Sequence, residues 1–316
     1  MGFFASLINS MPSAVAQGLI WGIMAIGVYL TYRILDVADL TVDGSLGTGG
    51  AVCVVMVLNG APVGLALLAA TAAGMLAGLV TGLFHTACGI PAILAGILTQ
   101  LALYSVNLRI MGFGTGGGKA NLPISVDKYS LLVSARYVRN VALNNPILIL
   151  VIFCAVLIAV LYWFFGTELG CSLRATGANQ NMARAQGINT NVAKVLGLMI
   201  SNGLVALAGG LLAQYQGFAD INMGRGAIVI GLAAVIIGDV IFGKLFKNFA
   251  LRLLAAVLGG VIYYIVIQLV LQMGLNANDL KLFSALVVAL FLGVPYWKGQ
   301  LSAKHVKTNK GGKDNA

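Results

Sequence analysis

Residues 146–166 read PILILVIFCAVLIAVLYWFFG, an apolar run without a single charge. A helix of about 20 residues rises 1.5 Å per residue and matches the roughly 30 Å hydrocarbon core of a bilayer. This run is therefore a membrane span, and it is not alone. Working outward in both directions gives further spans near 13–33, 46–59, 62–83, 90–111, 192–216, 226–243, 251–273 and 281–297. Across all 316 residues, 59% are hydrophobic and 9% charged, with a mean hydropathy of +0.96. A soluble domain carries about 25% charged residues to cover its surface. The expectation is an all-α, polytopic transmembrane helical bundle of about nine spans. It forms one domain over 1–297, followed by a basic tail over 298–316.

The second span is short. Before it lies the polar stretch from Leu35 to Ser45, and Gly47, Gly49 and Gly50 follow. This pattern predicts a broken second helix, which membranes tolerate where backbone is buried in protein or lines a watery cavity. Ala38-Asp39-Leu40-Thr41 after the first span is echoed by Ala219-Asp220-Ile221-Asn222 after the sixth. Inverted repeats built around broken helices recur in transport proteins. Such an echo is also within reach of chance.

The net charge of +10 gives no nucleic-acid signal, because Lys298, Lys304, Lys307, Lys310 and Lys313 cluster in the tail. Basic residues beside spans favour the cytoplasmic side. Nine crossings with the C-terminus inside place Arg33, Arg174, Arg184, Lys194, Lys244, Lys247 and Arg252 in the cytoplasm. Lys119, Lys128, Arg136 and Arg139 then lie outside, against the rule. No Lys or Arg precedes Arg33, which argues for a retained first span over a cleaved leader. Cys53, Cys88, Cys154 and Cys171 lack metal-site spacing and read as small apolar packing residues. No metal site is expected.

Polar residues inside spans are costly without partners. Asp39, Thr41, Asp43, Ser45, Gln100, Asn107, Asn202 and Gln214 are candidates for a translocation path. Helix–helix hydrogen bonding, or capping of unwound ends, is the competing explanation for each. Asp239 and His85 sit at span ends and read as structural and interfacial. No paired carboxylates or HExxH sequence point to a catalytic cluster, so no catalytic residue is assigned. The nearest approach to a phosphate loop is Gly118-Lys119, spoiled by Phe113 and Ala120. Gly112-Phe113-Gly114-Thr115-Gly116-Gly117 satisfies a dinucleotide-type spacing, but it follows a span and precedes no βαβ pattern.

Between two spans, residues 170–189 read GCSLRATGANQNMARAQGIN. Asn179 is placed to cap a short helix from Gln180 to Gln186, and Gly187 to end it. This segment resembles the coupling helix, here about 178–187, of ATP-driven (ABC-type) importer permeases of the branched-chain amino acid and ribose type. ADLTVDGS at 38–45, IPAILAGIL at 90–98 and LYSVNLRIMG at 103–112 agree with the subgroup associated with tryptophan/tyrosine-type binding proteins. The glycine-rich 114–118 stretch and Ala178, where an acidic residue is common, depart from that pattern.

The resemblance implies a permease subunit with no ATPase site of its own. It implies a second permease copy, cytoplasmic ABC ATPase subunits that bind the ATP, and an external solute-binding protein. It places the chain in a bacterial cytoplasmic membrane, with Arg174, Asn179, Gln180, Met182 and Arg184 contacting the ATPase. The resemblance favours an amino acid, of the aromatic class, as the solute. An ion-coupled secondary transporter using Asp39 and Asp43 is the alternative.

Overall fold

The computed structural model describes residues 3–113, 117–125, 128–129, 131–138 and 145–272, with isolated positions between 282 and 293. Helix α1 (Phe3–Tyr29) runs into a π-helical turn (Leu30–Ile34). Then come α2 (Val42–Leu58), α3 (Val63–Thr86), α4 (Ala92–Met111), β1 (Asn121–Pro123), α5 (Pro146–Gly166), α6 (Glu168–Ala178) and α7 (Gln180–Ala185). The described chain continues with α8 (Thr190–Gln216), β2 (Phe218–Asp220), α9 (Ala227–Phe242) and α10 (Phe249–Gln272). Eight of these helices fall on eight of the nine expected spans. The ninth, near 281–297, falls largely outside the described residues, and the 298–316 tail wholly so.

Among the described residues, six helices are long and apolar enough to cross a membrane. The shorter α2 and α9 have 17 and 16 residues. The break predicted within the second span instead precedes it, and α2 is continuous. From Leu35 to Asp39 the chain is irregular, with Leu35 still in the helical region, and Leu35, Val37 and Asp39 are buried while Asp36 and Ala38 are exposed. Asp36 sits at φ 54°, a left-handed conformation that lets the chain leave the π-helical turn.

Small residues bring the central helices together. A Cβ at Gly49 would meet the Ala206 carbonyl, and one at Gly209 would meet the Leu46 carbonyl, so α2 and α8 touch backbone to backbone. On α3, Gly74, Gly78 and Gly82 form a small-residue stripe against Asn202, Leu198 and Val195 of α8. Without a hydrophobic drive between helices in lipid, such close packing is a main source of association. α2 is buried on nearly every side.

The internal echo has a structural counterpart. Ser13 near the start of α1 hydrogen-bonds Tyr215 near the end of α8 (3.0 Å), whereas Gly27 packs on Ser201, further toward the start of α8. The two helices are therefore antiparallel. Asp39 Oδ1 accepts from the Thr41 N–H at 2.9 Å, and Asp220 Oδ1 accepts from the Asn222 N–H at 2.7 Å. Each break thus carries the same Asx turn before a short apolar helix. Pairings repeat as well: α3 packs on α8 as α10 packs on α1, and α2 on α3 as α9 on α10.

The chain is not wholly helical. β1 and β2 form an antiparallel pair with Asn121 opposite Asp220 and Pro123 opposite Phe218. This ribbon ties the 112–144 segment, expected as a plain loop, to the chain just after α8.

Candidate functional site: a buried polar network and an exposed helical arm

Four of the eight path candidates meet at one point. Asn202 on α8 donates through Nδ2 to Asp39 Oδ2 (2.6 Å) and to the Leu198 carbonyl (3.0 Å). Its Oδ1 accepts from Ser45 Oγ on α2 at 2.6 Å. Thr41 completes the group through its N–H to Asp39, and its hydroxyl lies 2.7 Å from that of Thr81. Thr81 in turn donates to Thr99 on α4 (2.9 Å), extending the polar network across α2, α3, α4 and α8. All six residues are buried, Asn202 and Ser45 completely. Thr81 and Thr99 were not singled out from sequence. Their spacing carries no signal, because a threonine inside a helix can satisfy itself on the carbonyl four residues back, as both also do here.

Asp43 does something different. Its two oxygens accept from the Gly226 and Ile228 N–H groups, each at 2.9 Å. A carboxylate on α2 therefore caps the N-terminus of α9, satisfying orphan donors and complementing the helix dipole. Gln214 joins α8 to the 131–138 segment: Oε1 accepts from the Leu132 N–H (3.1 Å) and Nε2 lies 3.3 Å from Cys53 Sγ. Asn107 on α4 is buried and donates weakly to the Gly44 carbonyl (3.4 Å), while its Oδ1 has no partner among the described residues. Gln100, one α4 turn from the Leu103 that packs on Gly44, is half-buried. Within one chain these residues form packed hydrogen bonds, not an open channel.

The second feature is the arm formed by α6 and α7. Thr167 caps α6 through Oγ1, accepting from the Gly170 N–H at 3.4 Å. Asn179 Oδ1 accepts from the Met182 N–H at 3.1 Å and caps α7, as its position in the sequence predicted. Gly187, at φ 81°, follows the end of α7. The capping signals in the sequence mark α7 alone, yet the residues before it form α6, an eleven-residue helix. Four glycines and alanines dilute its apolar pattern, but Leu173 is buried against Gly197 of α8.

The arm is fixed to the bundle at three points. A Cβ at Gly177 would meet the Ile34 carbonyl at the end of α1. Arg174 Nη2 donates to the Phe165 carbonyl at 2.9 Å. Arg184 Nε donates to Thr190 Oγ1 at 2.9 Å. Met182 is 64% exposed at the tip, and Gln180 is half-buried beside it. The outcome is a rigidly mounted short helix presenting an apolar side chain away from the protein.

At the span ends, Asp239 lies 3.9 Å from Arg33, and His85 Nδ1 lies 2.9 Å from the Ile90 carbonyl. Cys53 and Cys154 are buried, in keeping with a packing role, whereas Cys88 and Cys171 are exposed.

Comparison with known proteins agrees with this architecture. Residues 10–295 match the family described as branched-chain amino acid transport system / permease component. A tyrosine transport system permease protein of Clostridioides difficile is 40% identical over 301 residues, 95% of each chain. An uncharacterised protein of Rickettsia prowazekii is 35% identical over 90% of this chain and 97% of its own. The autoinducer 2 import system permease LsrC of Salmonella typhimurium is 27% identical over 74% of this chain and 63% of its own. With the family spanning nearly the whole helical region, the chain belongs to the branched-chain amino acid transport system permease family, whose members are multi-pass transport subunits.

Proposed function

We propose that this chain is the membrane-spanning subunit of an ATP-binding-cassette importer. In this reading two copies form the path, a separate ATPase sits on each α6–α7 arm, and an external binding protein delivers the solute. The solute is an amino acid with an aromatic side chain. The 40%-identical relative, a tyrosine transport system permease, supports that substrate class. ATP is bound by the partner, and Arg174, Asn179, Gln180, Met182 and Arg184 form the coupling surface.

The observation that carries the proposal is the arm. A helix of six residues has no stability of its own in water. Here it is capped at Asn179, pinned through Arg184 and left with Met182 exposed. That construction suits transmission of force from a motor better than it suits a passive loop. The ion-coupled alternative needs carboxylates free to exchange a cation or proton. Asp43 instead spends both oxygens on α9, and Asp39 is held by Thr41 and Asn202. Of the path candidates Asp43 and Gln100 are half-buried, and with the Asp43 oxygens held by α9, Gln100 is the residue of the set best placed to meet a passing solute.

The test is copurification of the tagged full-length protein from native membranes, beside Met182→Glu. An ABC ATPase that accompanies the wild type and is lost from the variant is the expected result. An ATPase that binds both equally removes the coupling role from α7. Its absence from the wild type, under conditions that preserve other such complexes, overturns the importer reading.

A further inference from the structure

Beside the arm, the ends of α1, α6 and α10 enclose an open cavity of about 440 Å³. Arg33, Arg174, Lys247 and Arg252 line it, with Phe249 as its apolar wall and the Tyr29 hydroxyl hydrogen-bonded to Arg252. Four cations converge there. Among the described residues the ion pair formed with any of them is that of Arg33, at a long 3.9 Å to Asp239. Arg174 spends one nitrogen on the Phe165 carbonyl, which orients the guanidinium and leaves its other donors.

A second hollow, of about 470 Å³, shares Arg174 and Phe249 with the first and continues along the end of α5. Tyr162 and Trp163 line it, and they are 58% and 72% exposed. Val156 and Val160 continue the apolar face up α5. Tyrosine and tryptophan at a span terminus mark the level of the lipid headgroups.

A basic cavity joined to an apolar groove at that depth matches one kind of ligand on both counts. We infer that this is a site for an anionic glycerophospholipid. Its phosphate lies among Arg33, Arg174, Lys247 and Arg252, and an acyl chain lies along Trp163 and α5. An acidic protein segment would answer to the cations but leave the groove unexplained. Basic pockets between spans on the cytoplasmic side are suited to anionic headgroups. Since Arg174 belongs to α6, the lipid would brace the mounting of the arm against α1 and α10. This inference stands apart from the transport reading, because it requires only a basic pocket at the membrane surface.

The test uses full-length protein with Trp163 as its single tryptophan (Trp21→Phe, Trp297→Phe). It is reconstituted in phosphatidylcholine vesicles containing brominated phosphatidylglycerol, or the same fraction of brominated phosphatidylcholine. Trp163 should be quenched preferentially by the anionic lipid. Each basic residue near a membrane surface contributes about 1 kcal/mol, or roughly a fivefold preference. Lys247→Gln should therefore lower the preference about fivefold, and Lys247→Gln with Arg252→Gln should reduce it further, with unchanged thermal unfolding in detergent. Equal quenching by the two lipids overturns the proposal, and so does a preference that survives both substitutions. Loss of the preference in excess inorganic phosphate would assign the cavity to a soluble anion. Unchanged quenching alongside loss of a copurifying ATPase would assign the cations to a protein contact. Either outcome overturns the lipid site.

Discussion

Replacing Asn202 with leucine tests whether the buried network holds the fold or touches the solute. The substitution keeps side-chain volume and removes three hydrogen bonds: those to Asp39, Ser45 and the Leu198 carbonyl. The Leu198 carbonyl retains its helical partner, so two losses matter. A hydrogen bond to a charged group contributes about 1.5–3 kcal/mol in soluble proteins and a neutral one about 1 kcal/mol. Measured pairs in membrane helices are weaker, averaging about 0.6 kcal/mol, because the unfolded chain in lipid also finds partners. Here the site is fully enclosed, and Asp39 keeps only Thr41 to answer its charge. The expected cost of Asn202→Leu is therefore about 2–3 kcal/mol, between the two scales. Unfolding in mixed dodecyl maltoside and SDS micelles measures it. The cycle with Asp39→Asn should return a coupling of about 1–2 kcal/mol. Stability within 0.5 kcal/mol of wild type, with uptake abolished, would refute the structural role and restore Asn202 to the path.

Other expectations follow from single contacts. Asp43→Ala removes the acceptor of two α9 amides. It should cost about 1–2 kcal/mol and speed hydrogen exchange at Gly226 and Ile228 before the rest of α9. Gly78→Val places its Cβ against the Leu198 backbone, which cannot retreat as a flexible side chain would. It should destabilise by about 1–3 kcal/mol or more, whereas Gly64→Ala, with nothing within 4 Å, should be neutral. A membrane-permeant maleimide should label Cys88 and Cys171 in the native protein and reach Cys53 and Cys154 only after SDS. Asn179→Ala should loosen α7 by about 1 kcal/mol, read as faster exchange at the Met182 amide with the spans unaffected.

The spans were legible because lipid forces helices to close their own backbone hydrogen bonds, so apolar length alone marks them. The cap at Asn179 was legible because it is local, decided within three residues. What sequence left open was every choice between partners distant in the chain. Asp39 and Asn202 are 163 positions apart, and Asp43 and Gly226 are 183 apart. Nothing local distinguishes a polar residue that faces a solute from one that faces another helix. The α6 helix escaped for a different reason: Gly170, Gly177, Ala175 and Ala178 suppress its apolar period. At Gly177 the small residue is required by close approach to Ile34. The break before α2 was placed one segment late for a related reason. Gly47, Gly49 and Gly50 read as helix breakers, yet Gly49 is where α2 meets the α8 backbone.

The inverted repeat explains where this protein is stiff. Aligning Asp39 with Asp220 sets Asp43 opposite Gly224 in the repeat. These two equivalent positions touch: a Cβ at Gly224 would meet the Asp43 carbonyl. Equivalent positions in contact lie on the axis that relates the two units, and only one of them has room for a side chain. That side chain is the carboxylate that caps α9, so the symmetric junction is closed by an asymmetric clasp. The turns have diverged in the same way. Asp39 is sealed by Asn202 at 2% exposure, whereas the bond from Asp220 to Asn222 is exposed. With α2 fastened to α9 by Asp43 and to α8 by glycine-to-backbone contact, rocking of the two units at this junction would break the part-buried Asp43 bonds and disturb the buried glycine contacts. Movement during transport then falls to elements outside the clasp, and α4 and α5, the two long helices with the least of their apolar length buried within the chain, are where the structure leaves most freedom for it.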